Sequence, residues 1–280
     1  MSELAAASPV TRLGDRALRT AEELGEFALL GAAVFRACMR PRFPWREVLV
    51  QFEALAVRSA PIVVITATFT GMVLALQTAF ALARFGAKPY VGSIVGLAIV
   101  RELGPVLAAL MVGARAGAGI ASELGSMQVT EQVDAIRAMG ADPVQKLVLP
   151  RVLATTLGLP LLTIFSIVVG IAGGMLVADA QYGIASGFYL QTVTSVVRVS
   201  DFASGVAKTF VFGWAIGMIG CHVGLATTGG TAGVGRATTR AVVLASIVVL
   251  VADYFLTRLL LLLPTDFVLG ALVRLLGGGA

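Results

Sequence analysis

The sequence predicts an all-α integral membrane protein: five transmembrane helices preceded by an N-terminal amphipathic interfacial helix, with a short cytoplasmic helix and a short periplasmic helix between spans. Three observations lead there. Of 280 residues, 58% are hydrophobic and 13% charged, with a mean hydropathy of +0.92, whereas soluble domains run near half apolar and a quarter charged. Uncharged stretches recur at the roughly 20 residues a helix needs to cross a bilayer. The remaining charges are distributed unequally between alternate loops. A water-soluble globule and a disordered chain are thereby excluded. Cys38, Cys221 and the single histidine, His222, have no disulfide-framework or metal-cluster spacing. Eighteen arginines and three lysines leave a net charge of +5, but they flank apolar runs, which argues against nucleic acid.

Residues 1–58 read as the interfacial region. Leu13, Ala17, Leu24, Phe27, Gly31 and Val34 recur at helical spacing, with Arg12, Arg16, Arg19, Glu22, Glu23 and Glu26 on other faces. Beyond Pro41 and Pro44 the pattern restarts in Trp45, Val48, Leu49, Phe52, Leu55 and Ala56. Both stretches fit helices lying in the headgroup region, and packing on a partner protein is the alternative. Neither has the continuous apolar core of a cleavable signal peptide.

The transmembrane domain is expected over residues 59–263, with a tail at 264–280. Residues 59–83, 152–178 and 209–235 carry no charge; 89–114 is interrupted by Arg101 and Glu102, and 241–263 by Asp253 and Arg258. With the N-terminus inside, the cytoplasmic side collects most arginines and the outside keeps Arg84, Lys88 and Arg198, as the positive-inside rule requires.

Between the second and third spans, Val129, Val133, Ile136 and Met139 form one stripe of a short helix. Glu131, Gln132, Asp134 and Arg137 form its polar side, and Gly140 and Pro143 stop it. It fits either a docking element for a cytoplasmic partner or a cover for the span ends. Residues 183–199 read as a periplasmic helix. The last cytoplasmic loop is expected at 228–239. Its Gly230-to-Gly235 step resembles a phosphate loop, but Arg236 and Ala237 stand where Lys and Ser/Thr belong and no strand precedes it, so no nucleotide site is expected.

Glycine pairs four apart (92/96, 113/117, 170/174, 213/217, 220/224) suggest close helix packing in lipid and a homo-oligomer. Arg101 and Glu102 are the notable charges, since one charge at mid-membrane costs at least about 2.5–3.5 kcal/mol. Neighbours on a helix point about 100° apart, so either they meet a charged headgroup in a cavity or they form interhelix ion pairs. Asp253 and Arg258 fit snorkelling to the outer interface, and His222 a hydrogen-bonded packing residue. An intramembrane protease would need a Ser/His pair or a Gly-x-Ser-x-Gly elbow, neither of which is present. A secondary transporter would divide into repeats, which five spans do not.

The segments Arg101-Glu102-Leu103-Gly104-Pro105-Val106, Arg115-Ala116-Gly117, Glu123-Leu124-Gly125, Thr130-Glu131-Gln132, Met139, Asp142-Pro143, Pro150-Arg151 and Gly235-Arg236-Ala237-Thr238-Thr239-Arg240-Ala241-Val242-Val243 together resemble the MlaE/YrbE family. Ala114 and Ala118 depart from its pattern around Arg115. The resemblance implies a permease of an ABC transporter of the bacterial inner membrane, moving phospholipids or related lipids and maintaining outer-membrane lipid asymmetry; an export permease for another hydrophobic substrate is the alternative. It implies a homodimer on two cytoplasmic ATPases, which use the ATP, often with a STAS-domain protein and under a ring of MCE-domain proteins. It makes the Val129-to-Met139 segment (Val129, Thr130, Glu131, Gln132, Val133, Asp134, Ile136, Arg137, Met139) the coupling helix. It also implies a lipid pocket between subunits, walled by Leu74, Ala81, Leu82 and Phe85 with Arg101 and Glu102, where Arg101 attracts phosphate and Glu102 orients Arg101 or gates the site.

Overall fold

The computed structural model describes residues 9–39 and 43–262, and among these there is no strand. The expected tail at 264–280, with Arg40, Pro41 and Arg42, lies outside the described residues, as do the side chains of Leu13 and Ala17. The helices are α1 Pro9–Cys38, α2 Trp45–Leu55, α3 Ala60–Ala83, α4 Lys88–Val129, α5 Gln132–Ala138, α6 Val144–Tyr182, α7 Ser186–Val196, α8 Val199–Leu225 and α9 Gly230–Leu262. Five of them, α3, α4, α6, α8 and α9, are long and apolar enough to cross a membrane.

Four spans differ from expectation: the second and third run over Lys88–Val129 and Val144–Tyr182 and so exceed 89–114 and 152–178, and the fourth ends at Leu225, short of 235. The fourth begins at Val199 rather than 209 and so includes Asp201 and Lys208; the fifth begins at Gly230 rather than 241 and includes Arg236 and Arg240. Helices extend past the first charge whenever that charge finds a partner or the headgroup level, so a charge-free window marks the lipid-crossing part and not the helix. The loop expected at 228–239 is accordingly a short turn. Its reversal rests on Gly229 and Gly230, both at positive φ (84° and 67°), where a side chain would be strained.

The helix α4 runs unbroken for 42 residues but is not uniform. Ile99–Leu103 and Gly113–Gly117 are π-helical, and the Gly104 amide donates to the carbonyl of Ile99. Pro105 has no N–H to offer, so a widened turn directly before it relieves the missing bond.

Around α4, α3 packs on α6, α6 on α8, and α8 on both α4 and α9. Glycine sets the approach distance. A Cβ built on Gly71 would stand 1.9 Å from the Gly170 carbonyl oxygen, on Gly213 2.4 Å from that of Thr155, and on Gly205 2.4 Å from that of Val100. Of the expected glycine pairs, 92/96, 213/217 and 220/224 make such close approaches within the chain, whereas a Cβ on Gly113 or Gly117 would meet only ordinary contacts. One apolar core lies around Ile120, Leu149, Leu159, Phe212 and Ile216; another joins Val91, Val95, Ile99, Ile167 and Tyr189.

The interfacial helix α1 is held by chemistry as well as apolar contact. Phe27 meets Trp214 and His222 edge to face, and Glu23 pairs with Arg240 at 2.8 Å. His222 is thus a packing residue through its ring, with no side-chain hydrogen bond among the described residues. Leu24 and Leu49, expected on the inward faces of α1 and α2, are exposed, while Val34, Val48 and Leu55 are buried.

Candidate functional site

Asp201 and Lys208 are seven residues apart and so lie two turns apart on one face of α8. Gly205, between them, lets that face close on the π-helical turn carrying Arg101 and Glu102. The adjacent charges diverge to separate partners. Arg101 donates through Nε (3.0 Å) and Nη2 (2.6 Å) to one oxygen of Asp201, whose other oxygen accepts from the Arg198 amide at 3.0 Å and caps α8. Lys208 Nζ lies 3.0 Å from Glu102, 2.8 Å from Asp253 and 2.9 Å from the Thr257 hydroxyl, which donates to the second Glu102 oxygen at 3.1 Å. Three helices, α4, α8 and α9, are thereby joined through one ammonium.

The five ionised groups sum formally to −1. Lys208 is 3% exposed, but Arg101 and Glu102 keep 43% and 39% of their side chains open. Of the two alternatives weighed from the sequence, ion pairing is present, and it leaves part of Arg101 and Glu102 exposed.

Two expectations are corrected, and two residues are added. Glu102 does not orient Arg101; Asp201 does. Asp253 does not snorkel to the outer interface but turns inward to Lys208, because a cation buried in hydrocarbon is tolerated only with counter-charge. Lys208 and Asp201 were missed because both fall outside the charge-free window assigned to the fourth span. Their i, i+7 spacing on either side of a glycine was the available signal.

Beside Leu103, the next residue after Glu102, an open cavity of about 380 Å³ is lined by Phe69, Thr70, Val73, Leu74, Gln77 and Leu103. Of the expected wall only Leu74 lines it. Leu82 is partly buried against the Val91 and Val95 core, Ala81 is exposed, and Phe85 lies beyond the end of α3, 82% exposed. The four do not share one lined surface in this chain: Ala81 and Leu82 lie beyond Gln77, the last α3 residue of the groove, and Phe85 lies past the end of α3 at Ala83. Along α3 the outward face is a continuous stripe of Ile62, Ile65, Phe69, Val73, Leu76 and Phe80.

At the opposite end, the expected single helix from Val129 to Met139 is divided. Val129 ends α4, Glu131 adopts the left-handed conformation (φ 59°), and α5 is only Gln132–Ala138. The stripe divides with it: Val133 is buried, Ile136 is half-buried, and Met139 is 75% exposed. Thr130, Glu131, Gln132, Asp134 and Arg137 are exposed, with Arg137 and Asp134 paired at 3.0 Å. The flanking helices are clamped by Arg151 on α6, which reaches Glu123 on α4 at 3.0 Å. Arg115, in the second π-helical turn of α4, donates to Ser59 Oγ (2.9 Å) and the Ala54 carbonyl (3.3 Å), tying the α2–α3 junction to α4.

The family described as Permease MlaE matches residues 48–259. The chain is 39% identical over 247 residues to a protein named "Probable ABC transporter permease protein" from Rickettsia bellii, covering 88% of this chain and 95% of that one. It is 35% identical over 254 residues to the "Intermembrane phospholipid transport system permease protein MlaE" of Haemophilus influenzae, covering 90% and 97%. It is 38% identical over 229 residues to "Protein TRIGALACTOSYLDIACYLGLYCEROL 1, chloroplastic" of Arabidopsis thaliana, covering 82% and 65%.

Proposed function

This chain belongs to the MlaE permease family, and on that premise we propose that it is the membrane-spanning subunit of an ATP-driven transporter whose cargo is phospholipid or a related lipid. The observation that carries the reading is a lysine buried within a span and shared by two carboxylates, one of which, Glu102, directly precedes Leu103 in the lining of an apolar groove. Charges that only hold helices together in lipid have no reason to stay open, yet Arg101 and Glu102 do. Arg101 engages two of its five N–H donors on Asp201 and keeps the rest for a phosphate. Phe69, Val73 and Leu74 offer apolar contact to acyl chains. Glu102, held by Lys208, supplies the repulsion that limits how deeply a phosphate settles, which is a gating role.

A second copy of the chain would cover the exposed stripe of α3 and close the groove into a chamber, giving Ala81, Leu82 and Phe85 a wall to complete. A cytoplasmic ATPase would dock on α5 and its flanks, from Val129 to Met139, and hydrolyse the ATP. An MCE-domain ring outside and a STAS-domain protein inside belong to this reading through the family resemblance. The protein is a multi-pass membrane protein; the bacterial inner membrane belongs to this reading through the family resemblance, and the arginine distribution supports a cytoplasmic N-terminus.

The test is ATP-dependent movement of labelled phospholipid in vesicles containing this chain and its ATPase. Arg101→Gln should lower the rate about tenfold or more, as expected for losing a charge-assisted bond, while the ATPase still co-purifies. Undiminished transport would overturn the headgroup role.

A further inference from the structure

The first part of α9 carries two arginines that the transport reading does not use. Arg236 and Arg240 are one turn apart and share a face. Both line an open groove of about 680 Å³ with Gly235, Thr239, Val243 and Leu244, and both line a smaller one of about 310 Å³ towards α8. Arg236 is exposed and makes no hydrogen bond or ion pair among the described residues. Arg240 gives one nitrogen to Glu23 of α1 at 2.8 Å.

Their level in the membrane follows from what comes next. Residues 241–252 carry no charge, and the first that does, Asp253, belongs to the Lys208 cluster. At about 1.5 Å per residue, Arg240 lies roughly 20 Å along α9 from that cluster. The two arginines thus stand where the apolar run begins, at headgroup depth in the leaflet opposite the cluster. On the proposed topology that leaflet is the cytoplasmic one. The groove repeats the order of an amphiphile: cations and the Thr239 hydroxyl at the boundary, then Val243 and Leu244 one turn deeper.

We infer that this groove is a second lipid site, binding an anionic phospholipid of the cytoplasmic leaflet, with its phosphate between Arg236 and Arg240 and an acyl chain along Val243 and Leu244. Guanidinium is suited to this, because its planar fork matches phosphate oxygens and it remains charged beside hydrocarbon. Glu23 competes for Arg240, so occupancy of the groove is linked to the seating of α1.

The test uses the full permease with its ATPase in nanodiscs containing phosphatidylglycerol or phosphatidylcholine, with a photocrosslinking residue at position 243 and mass spectrometry of the adduct. A phosphatidylglycerol adduct is expected, with little from phosphatidylcholine. Arg236→Gln should reduce it severalfold and Arg236→Gln with Arg240→Gln about tenfold or more; Glu23→Gln should raise it. Arg236 is exposed and unpaired among the described residues, so the single variant keeps the test valid if the double one misfolds. Arg101→Gln should leave the adduct unchanged, so failure of the cargo site and failure of this one are read separately. Equal adducts from both lipids, indifference to the arginine substitutions, a protein adduct in place of lipid, or displacement by excess inorganic phosphate would each overturn the assignment.

Discussion

The ammonium of Lys208, on α8, lies 2.8 Å from a carboxylate oxygen of Asp253, on α9. These residues are 45 apart in sequence, and the same ammonium reaches Glu102 on α4. Removing the cation leaves the Glu102 and Asp253 carboxylates, 39% and 18% exposed, facing each other without counter-charge; breaking a fully buried pair costs about 3–5 kcal/mol, and the partial exposure of both lowers that. Lys208→Met should therefore lower the thermal unfolding temperature of the purified protein markedly. Adding Glu102→Gln and Asp253→Asn should recover most of that stability without recovering transport. A single variant as stable as the parent would show that the cluster contributes no stability.

Arg101 and Asp201 form the second pair. Arg101→Glu sets two carboxylates against each other at the start of α8 and should destabilise and inactivate. Exchanging both, Arg101→Glu with Asp201→Arg, should return part of the stability through the reversed pair. It should not return lipid movement, because the cation no longer sits on α4. Transport by the exchanged variant at the parental rate would mean that only the pairing matters.

At the cytoplasmic end, Asp134→Lys reverses a charge on the exposed face of α5 and breaks its pair with Arg137, an exposed pair worth about 0–1 kcal/mol. Folding should be unchanged, and lipid-stimulated ATP hydrolysis by the assembled complex should fall at least severalfold. Normal hydrolysis would remove α5 from the docking surface.

Close approach of α3 and α6 depends on Gly71. A methyl group there would collide with the Gly170 carbonyl, and Gly71→Ala should cost about 1–3 kcal/mol as over-packing does. Gly119→Ala, where a Cβ meets nothing within 4 Å, is the control and should be neutral or slightly stabilising. Equal stability of the two variants by thermal unfolding would contradict the packing described.

Burial pushes the Tyr189 phenol of α7 up to about 12, and its hydroxyl has no hydrogen-bond partner among the described residues. Unfolded tyrosine titrates near about 10. Since the folded value is the higher, the neutral ring contributes stability that is whole below about pH 10 and is lost as pH climbs towards 12. Tyr189→Phe should abolish that loss. It should match or exceed the parent near neutrality, because an unpartnered buried hydroxyl costs about 1–3 kcal/mol. The check is thermal unfolding across this range, and parallel declines would refute it.

The count of spans was legible from the sequence because hydrocarbon thickness fixes helix length and leaves little freedom. Arg101 and Glu102 were legible for the same reason, as costly interruptions of an apolar run. What escaped was anything that depends on a partner far along the chain. Asp201 and Lys208 lie outside the charge-free window of 209–235 and carry no assigned role until α4 supplies their counter-charges. Asp253 read as a boundary residue until Lys208 turns it inward. The wall expected from Leu74 to Phe85 followed ideal helical periodicity, which stops at Ala83. Val129 and Met139 share a stripe only if the backbone stays helical through Thr130 and Glu131, which a left-handed residue prevents.

That left-handed residue has a counterpart. Glu131 at φ 59° precedes α5 and Gly140 at φ 75° follows it, so the short rod hangs between two sharp backbone reversals with Val133 as its buried peg. Under the proposed docking of an ATPase on α5, a push from below would be delivered as a swivel of one stiff piece, and the long helices on either side would receive torque instead of a bend.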